Sequence, residues 1–199
     1  RDMSQRPTPS WALRGKGDRP KNIISSIYLV PEVEEQFNKK LQEKFATIRS
    51  NEVRYSEYFV EDAEYLVVGF GTSGRVAQTA VKRMRTRGIK VGLFRPMSLY
   101  PFPEQRINEL AHQVRNILVV EMNAGQMVED VRLAVNGIAP VRFYGRMGGM
   151  VPLPDEVEKE IRQMVRAGED AAHTHINIQN ELGEWQAYND LEEVEEVWR

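Results

Sequence analysis

Four short, largely apolar runs mark the middle of the chain: Tyr65–Phe70, Ile89–Phe94, Asn116–Val120 and Pro140–Tyr144. Each is followed by a segment whose apolar residues return every third and fourth position, the spacing of one helical face. After the first run these residues are Val76, Ala77, Ala80, Val81 and Met84, in a helix expected from about Ser73 to Arg87. Ser73 is its expected N-cap and Gly88 its stop. After the second they are Ile107, Leu110, Ala111 and Val114, from Pro103; after the third, Met127, Val128, Val131, Ala134 and Val135, ending at Gly137. After the fourth they are Val157, Ile161, Met164 and Val165, in a helix over Pro154–Ala167. Strands that are apolar throughout are covered on both faces, and serial βα units cross over right-handedly. The pattern predicts an α/β fold, a three-layer α/β/α sandwich around a parallel sheet.

The flanks read differently. Residues 1–30 carry Pro7, Pro9, Gly15, Gly17 and Pro20 with few apolar side chains, so they are expected to form an extended linker. Trp11 and Ile23–Val30 are its adhesive positions. A connector follows over 31–60. Phe37, Leu41, Phe45 and Ile48 share a helical face behind Pro31, and aromatic-rich Val53–Val60 suits a short strand. The α/β domain is expected over 61–168. Residues 169–199 are thinly apolar and read as a tail, with a short amphipathic helix possible near its end.

Composition narrows the function. With 41% hydrophobic residues among 199, the chain can bury one good core. A net charge of −2 argues against general nucleic-acid or anionic-membrane binding. The absence of cysteine excludes thiolate catalysis and any cysteine-ligated iron–sulfur cluster on this chain. No apolar stretch approaches the roughly 20 residues of a membrane-spanning helix, and the cytoplasm is the default compartment. The chain opens Arg1-Asp2-Met3, which we read as a fragment of a longer polypeptide.

Candidate chemistry clusters at the loops that leave the strands. Gly69, Gly71 and Gly74 have G-x-G-x-x-G spacing ahead of a helix, so Gly71, Thr72, Ser73, Gly74 and Arg75 are candidate phosphate or nucleotide contacts. A dinucleotide site also needs an acid about 20 residues on, and the second strand ends instead in Arg95-Pro96. The glycines then serve a tight turn, although an arginine there leaves a 2′-phosphate open. The loop Glu121–Gln126 offers Glu121, Asn123 and Gln126. Glu121 is read as a general base or a metal ligand, or else as a side chain that caps neighbouring loop N–H groups or pairs with Arg95 or Arg146 from adjacent loops. Without a second carboxylate at metal spacing, no catalytic or metal residue is assigned. The basic run Lys82, Arg83, Arg85 and Arg87 suits the negative end of its helix dipole. Trp11, Arg95, Glu121, Asn123, Gln126 and Arg146 are candidate interface residues, with the 121–126 loop expected to dock a partner.

Three stretches carry a resemblance. YLVVGFGTSGRVAQTAVKRMRTRGIKVGLFRPMSLYPFPEQRI, ILVVEMNAGQMVEDVRLAVNG and VRFYGRMGGMVP resemble the carboxyl-terminal part of the α subunit of 2-oxoacid:ferredoxin oxidoreductases. The 2-ketoisovalerate (3-methyl-2-oxobutanoate) type is closest and the 2-oxoglutarate type next. The likeness spans roughly residues 5–165. It implies a transketolase C-terminal-like domain, whose mostly parallel sheet has one antiparallel edge strand supplied by Val53–Val60 or the tail. It also implies an enzyme using thiamine diphosphate, magnesium, iron–sulfur clusters and coenzyme A to convert a 2-oxoacid to an acyl-CoA while reducing ferredoxin. This chain would be a non-catalytic assembly domain, binding no cofactor alone. Its implied partners are the remaining domain of its subunit and the other subunits, with ferredoxin reached through them and a homo-oligomer possible. The alternative reading is an independent nucleotide- or phosphate-binding module using the Gly71–Arg75 turn.

Overall fold

The computed structural model describes residues 6–9, 12, 15, 17, 18, 20, 23 and 25–182, with side chains up to 168. Two compact units divide the chain, Arg1–Thr47 and Ile48–Arg199. The first contains most of helix α1 (Pro31–Asn51). Phe37, Leu41 and Phe45 are half-buried on one face of it, and the Tyr28 ring lies 4.9 Å from that of Phe37. Trp11 lies outside the described residues.

The second unit is built on a five-stranded sheet of order β1-β3-β2-β4-β5. Its strands are β1 (Tyr55–Tyr58), β2 (Tyr65–Gly69), β3 (Val91–Pro96), β4 (Asn116–Glu121) and β5 (Val141–Gly145). β2 pairs in parallel with β3 and β4, and β4 with β5, whereas β1 runs antiparallel along β3. The antiparallel edge strand thus comes from within Val53–Val60. Every residue of β2 and β4 is buried, as their unbroken apolar character requires. One layer holds α2 (Gly71–Thr86) and α5 (Pro154–Leu182), with Ala77, Ala80, Val81 and Met84 packed among Val157, Ile161 and Met164. The opposite layer holds α3 (Glu104–Ala111) and α4 (Met127–Val135), whose Ile107, Leu110, Val128 and Val131 cover Leu66, Phe94 and Val119.

Three expectations about element ends are corrected. The α2 N-cap is Phe70, not Ser73, which sits buried inside the first turn. Helix α4 ends on Asn136 in the left-handed conformation, one residue before Gly137. Helix α5 does not stop at Ala167 but continues to Leu182, so the first part of the expected tail is helical. Residues 183–199, with the possible terminal helix, lie outside the described residues.

Candidate functional site at the strand carboxyl ends

The sheet order places a topological switch between β2 and β4. From β2 the chain crosses to β3 over one face through α2. From β4 it moves the opposite way, over the other face, through α4. The two loops leaving these strands therefore diverge and leave a crevice, the usual ligand position in open α/β sheets. It encloses about 320 Å³ between Phe70–Ser73 on one wall and Val120–Asn123 on the other. Of the sequence-derived site residues, Gly71, Thr72, Ser73, Glu121 and Asn123 line it.

The glycine wall is shaped by close approach. A Cβ on Gly69 would lie 2.9 Å from Gly74 Cα, and one on Gly74 would collide with the Gly69 carbonyl oxygen. The end of β2 and the first turn of α2 thus touch backbone to backbone. Gly71 differs: its φ is +55°, and open space surrounds the position of its missing side chain. Arg95 reaches this wall from β3, its Nε 2.9 Å from the Cβ position of Gly74.

On the other wall Glu121 takes the capping role, so the loop's acid is engaged internally and not free for a partner. Glu121 is only 6% exposed, and its carboxylate accepts the backbone N–H groups of Gln126 (3.3 Å), Met127 (3.0 Å) and Val128 (2.9 Å). Asn123 Nδ2 also donates to it at 3.0 Å, while Asn123 Oδ1 accepts from Gly125 N. Glu121 is the anion at the N-terminus of α4, where free N–H groups and the helix dipole favour negative charge. It holds the loop shut. Only Met122, Ala124 and Gln126 turn to solvent.

Arg146 is also used internally, but with a partner other than Glu121. It forms an ion pair with Glu156, whose other carboxylate oxygen accepts Leu153 N at 2.8 Å and so caps α5. That backbone bond, together with the arginine, holds the Glu156 carboxyl below its usual range. The basic run on α2 has partners beyond the helix dipole. Arg83 and Arg87 reach Glu158 of α5 at 3.1 and 2.6 Å, and Arg162 joins at 3.4 Å. Burial pushes the Glu158 carboxyl up, but bonds from Arg83 and Arg87 outweigh this and leave it lowered. Arg85 binds Asp62, the Val91 carbonyl and the carbonyl of Phe59, which has a φ of +57°.

A larger groove, of about 810 Å³, was not foreseen in the sequence. It runs beside β1 and α3 between Tyr55, Tyr100, Phe102 and Arg106. Arg106 is held firmly charged by bonds to Glu57 and Glu109. Its only sequence trace is the proline-rich Pro96–Pro103 segment, which carries no chemical motif.

The donor set does not fit a cysteine-ligated iron–sulfur cluster. The chain has no cysteine, and no group of three or more acidic or histidine side chains converges among the described residues. Among them, no helix is long and apolar enough to cross a membrane.

Comparison with known proteins supplies the family. Residues 63–157 match the family described as pyruvate:ferredoxin oxidoreductase core domain II. This chain carries that core domain. The matched span runs from just before β2 into the start of α5 and so contains the whole crevice. Ketoisovalerate oxidoreductase subunit VorB of Methanothermobacter marburgensis is 45% identical over 170 residues, covering 85% of this chain and 48% of that protein. Its counterpart in Methanothermobacter thermautotrophicus is 47% identical, covering 84% and 47%. The 2-oxoglutarate synthase subunit KorA of Methanothermobacter marburgensis is 36% identical over 134 residues, covering 67% and 36%. This chain spans about half the length of the ketoisovalerate subunits it matches. Among solved structures, a 2-oxoglutarate:ferredoxin oxidoreductase from Magnetococcus marinus superposes with a TM-score of 0.60 at 20% identity, covering 68% of this chain and 24% of that one. That likeness establishes a shared fold. The resemblance read from the sequence is borne out, with the ketoisovalerate type ahead of the 2-oxoglutarate type.

Proposed function

We propose that this chain is the core domain II portion of a subunit of a 2-oxoacid:ferredoxin oxidoreductase acting on 2-ketoisovalerate, and that its own task is assembly. The observation that carries the reading is 45–47% identity to ketoisovalerate subunits over 84–85% of the chain, against 33–36% to 2-oxoglutarate synthase subunits over 67–68%. The reaction proposed for the whole enzyme is oxidative decarboxylation of the 2-oxoacid to an acyl-CoA, with electrons passing to ferredoxin. Thiamine diphosphate, magnesium, iron–sulfur clusters and coenzyme A would be held outside this chain.

The partners are then the rest of the same subunit and the other subunits, in the cytoplasm. The exposed side chains at the carboxyl end of β4, Met122 and Gln126, are the contacts we assign to assembly. Glu121 and Asn123 position that loop from behind. The test is 2-oxoacid-dependent reduction of a viologen dye, with coenzyme A, by the full-length subunit co-expressed with its partners. Turnover with 2-ketoisovalerate above that with 2-oxoglutarate is expected, and the reverse order would overturn the substrate assignment. The 199-residue chain alone should give a folded circular dichroism spectrum and no turnover. Turnover by it, supplied with thiamine diphosphate and magnesium, would refute the assembly role.

A further inference from the structure

Strand β5 is an open edge of the sheet. β4 pairs along one side of it, and no strand among the described residues pairs along the other. All five of its residues are half-buried, whereas all of β4 is buried. Two bonds fix which backbone groups face β4: Ile117 N–H donates to the Pro140 carbonyl, and Arg146 N–H to the Glu121 carbonyl. The even-numbered residues from 140 to 146 thus point inward. The N–H and C=O groups of Val141, Phe143 and Gly145 point outward, and no described residue bonds to them. Such an unpaired row is a template for another strand. The opposite edge is guarded, because β1 is only four residues long and carries the charge of Glu57, held by Arg106. β5 contains no proline, and its one charge is Arg142.

Arg142 is the second observation. Val141 and Phe143 pack toward the α3–α4 core and Tyr144 toward the α2–α5 core, so alternation puts Arg142 on the Tyr144 side of the sheet. Its guanidinium has no ion-pair partner among the described residues. The Tyr144 phenol shares hydrogen bonds with Arg146 and Glu156, so that side of the edge also carries a carboxylate. A lone cation on an edge strand discourages pairing unless the incoming strand answers it.

We propose that β5 pairs antiparallel with β5 of a second copy of this chain, joining the two sheets across a twofold axis at Phe143. A parallel ladder staggers its bonds and cannot be twofold symmetric, so two identical edges meet antiparallel. Centring on Phe143 uses the whole strand. It sets Phe143 against the partner's Phe143, and Val141 against the partner's Gly145. Every such pair joins outward-facing residues, which exchange both backbone bonds. The same register sets Arg142 opposite the partner's Tyr144, whose ring attracts a guanidinium and whose phenol is bonded to the Glu156 carboxylate. The seam then holds no like charges face to face, and the lone cation of each edge is answered by the other. A second copy supplies this match by symmetry. The inference does not rest on the oxidoreductase reading and is tested on the 199-residue chain itself.

The test is sedimentation velocity of the chain from about 1 to about 200 μM, with hydrogen exchange over the same range. A rise to twice the chain mass is expected. The Val141, Phe143 and Gly145 amides should gain protection with concentration, while those of Arg142 and Tyr144, bonded to β4, stay protected throughout. Arg142→Glu sets an acid against the partner's Glu156 and should weaken self-association about tenfold, with the melting temperature little changed. Val141→Pro removes an N–H that the domain does not use, at the first residue of an edge strand. It should weaken association roughly thirtyfold, because symmetry removes two bonds. Should Val141→Pro fail to fold, Arg142→Glu and the wild-type exchange profile still decide. A monomer throughout the range, wild-type affinity in the folded variants, or outward amides equally protected at every dilution would overturn the pairing. Protection that appears only on adding partner subunits would give the edge to a different protein and overturn it too.

Discussion

Gly74 and Glu121 show what single residues do at the crevice. A methyl group on Gly74 meets the Gly69 carbonyl, which is backbone and cannot swing aside. Gly74→Ala should therefore cost about 2 kcal/mol or more, read as a fall in urea midpoint at unchanged slope. An unchanged midpoint would mean the turn relaxes freely. Glu121→Ala removes a buried acceptor from three N–H groups and Asn123, at an expected cost of about 2–3 kcal/mol. Glu121→Gln, which keeps one acceptor oxygen, should fall between. If thermal melting of Glu121→Ala matches wild type, the loop is braced by something else. The glycine spacing was legible from the sequence because a tight turn needs it. For Glu121 the sequence left capping as one reading among several and did not name its donors, because the backbone N–H groups lie five to seven residues downstream, outside any local capping motif.

Between elements, the clamp of α2 on α5 is the clearest electrostatic contribution. Glu158 is buried among Arg83, Arg87 and Arg162, and its carboxyl is lowered from an ordinary 4.5. A carboxyl lowered by folding adds stability that is fully present above the unfolded value and is lost as pH falls through the folded one. The stability difference between wild type and Glu158→Ala should thus hold from pH 7 to about 5 and shrink below 4.5. Urea unfolding at each pH measures it, and a constant difference down to pH 3 would remove charge as the cause. Near neutrality we expect about 2 kcal/mol, at the low end for buried pairs because the three guanidinium groups reach water. The strands, their order of appearance and the buried helix faces were all readable from periodicity. The clamp was not, since Arg83 and Glu158 are 75 residues apart and only the folded layer brings them together.

For the whole molecule, the comparisons imply that about half of a typical relative lies outside this chain. The family was legible because strand, turn and loop motifs agreed over a long span. The docking surface was only partly legible, because sequence does not tell exposed loop polar groups from engaged ones. Met122, 39% exposed at the crevice rim, and exposed Gln126 remain available to a neighbour, whereas Glu121 does not. In the full-length subunit, Met122→Asp with Gln126→Ala should weaken association with partner subunits by roughly thirtyfold, the effect of losing one interface hot spot of about 2 kcal/mol. The melting temperature of the 199-residue chain carrying both changes should stay within a few degrees, because neither side chain is part of the core. Sedimentation velocity of the co-expressed subunits reads the first quantity and calorimetry of the chain the second. Glu121→Ala is the informative control, because it should lower the melting temperature and weaken association only through unfolding. Normal assembly of the double variant would move the docking surface elsewhere on the domain, with the aromatic groove beside β1 and α3 the next surface to probe.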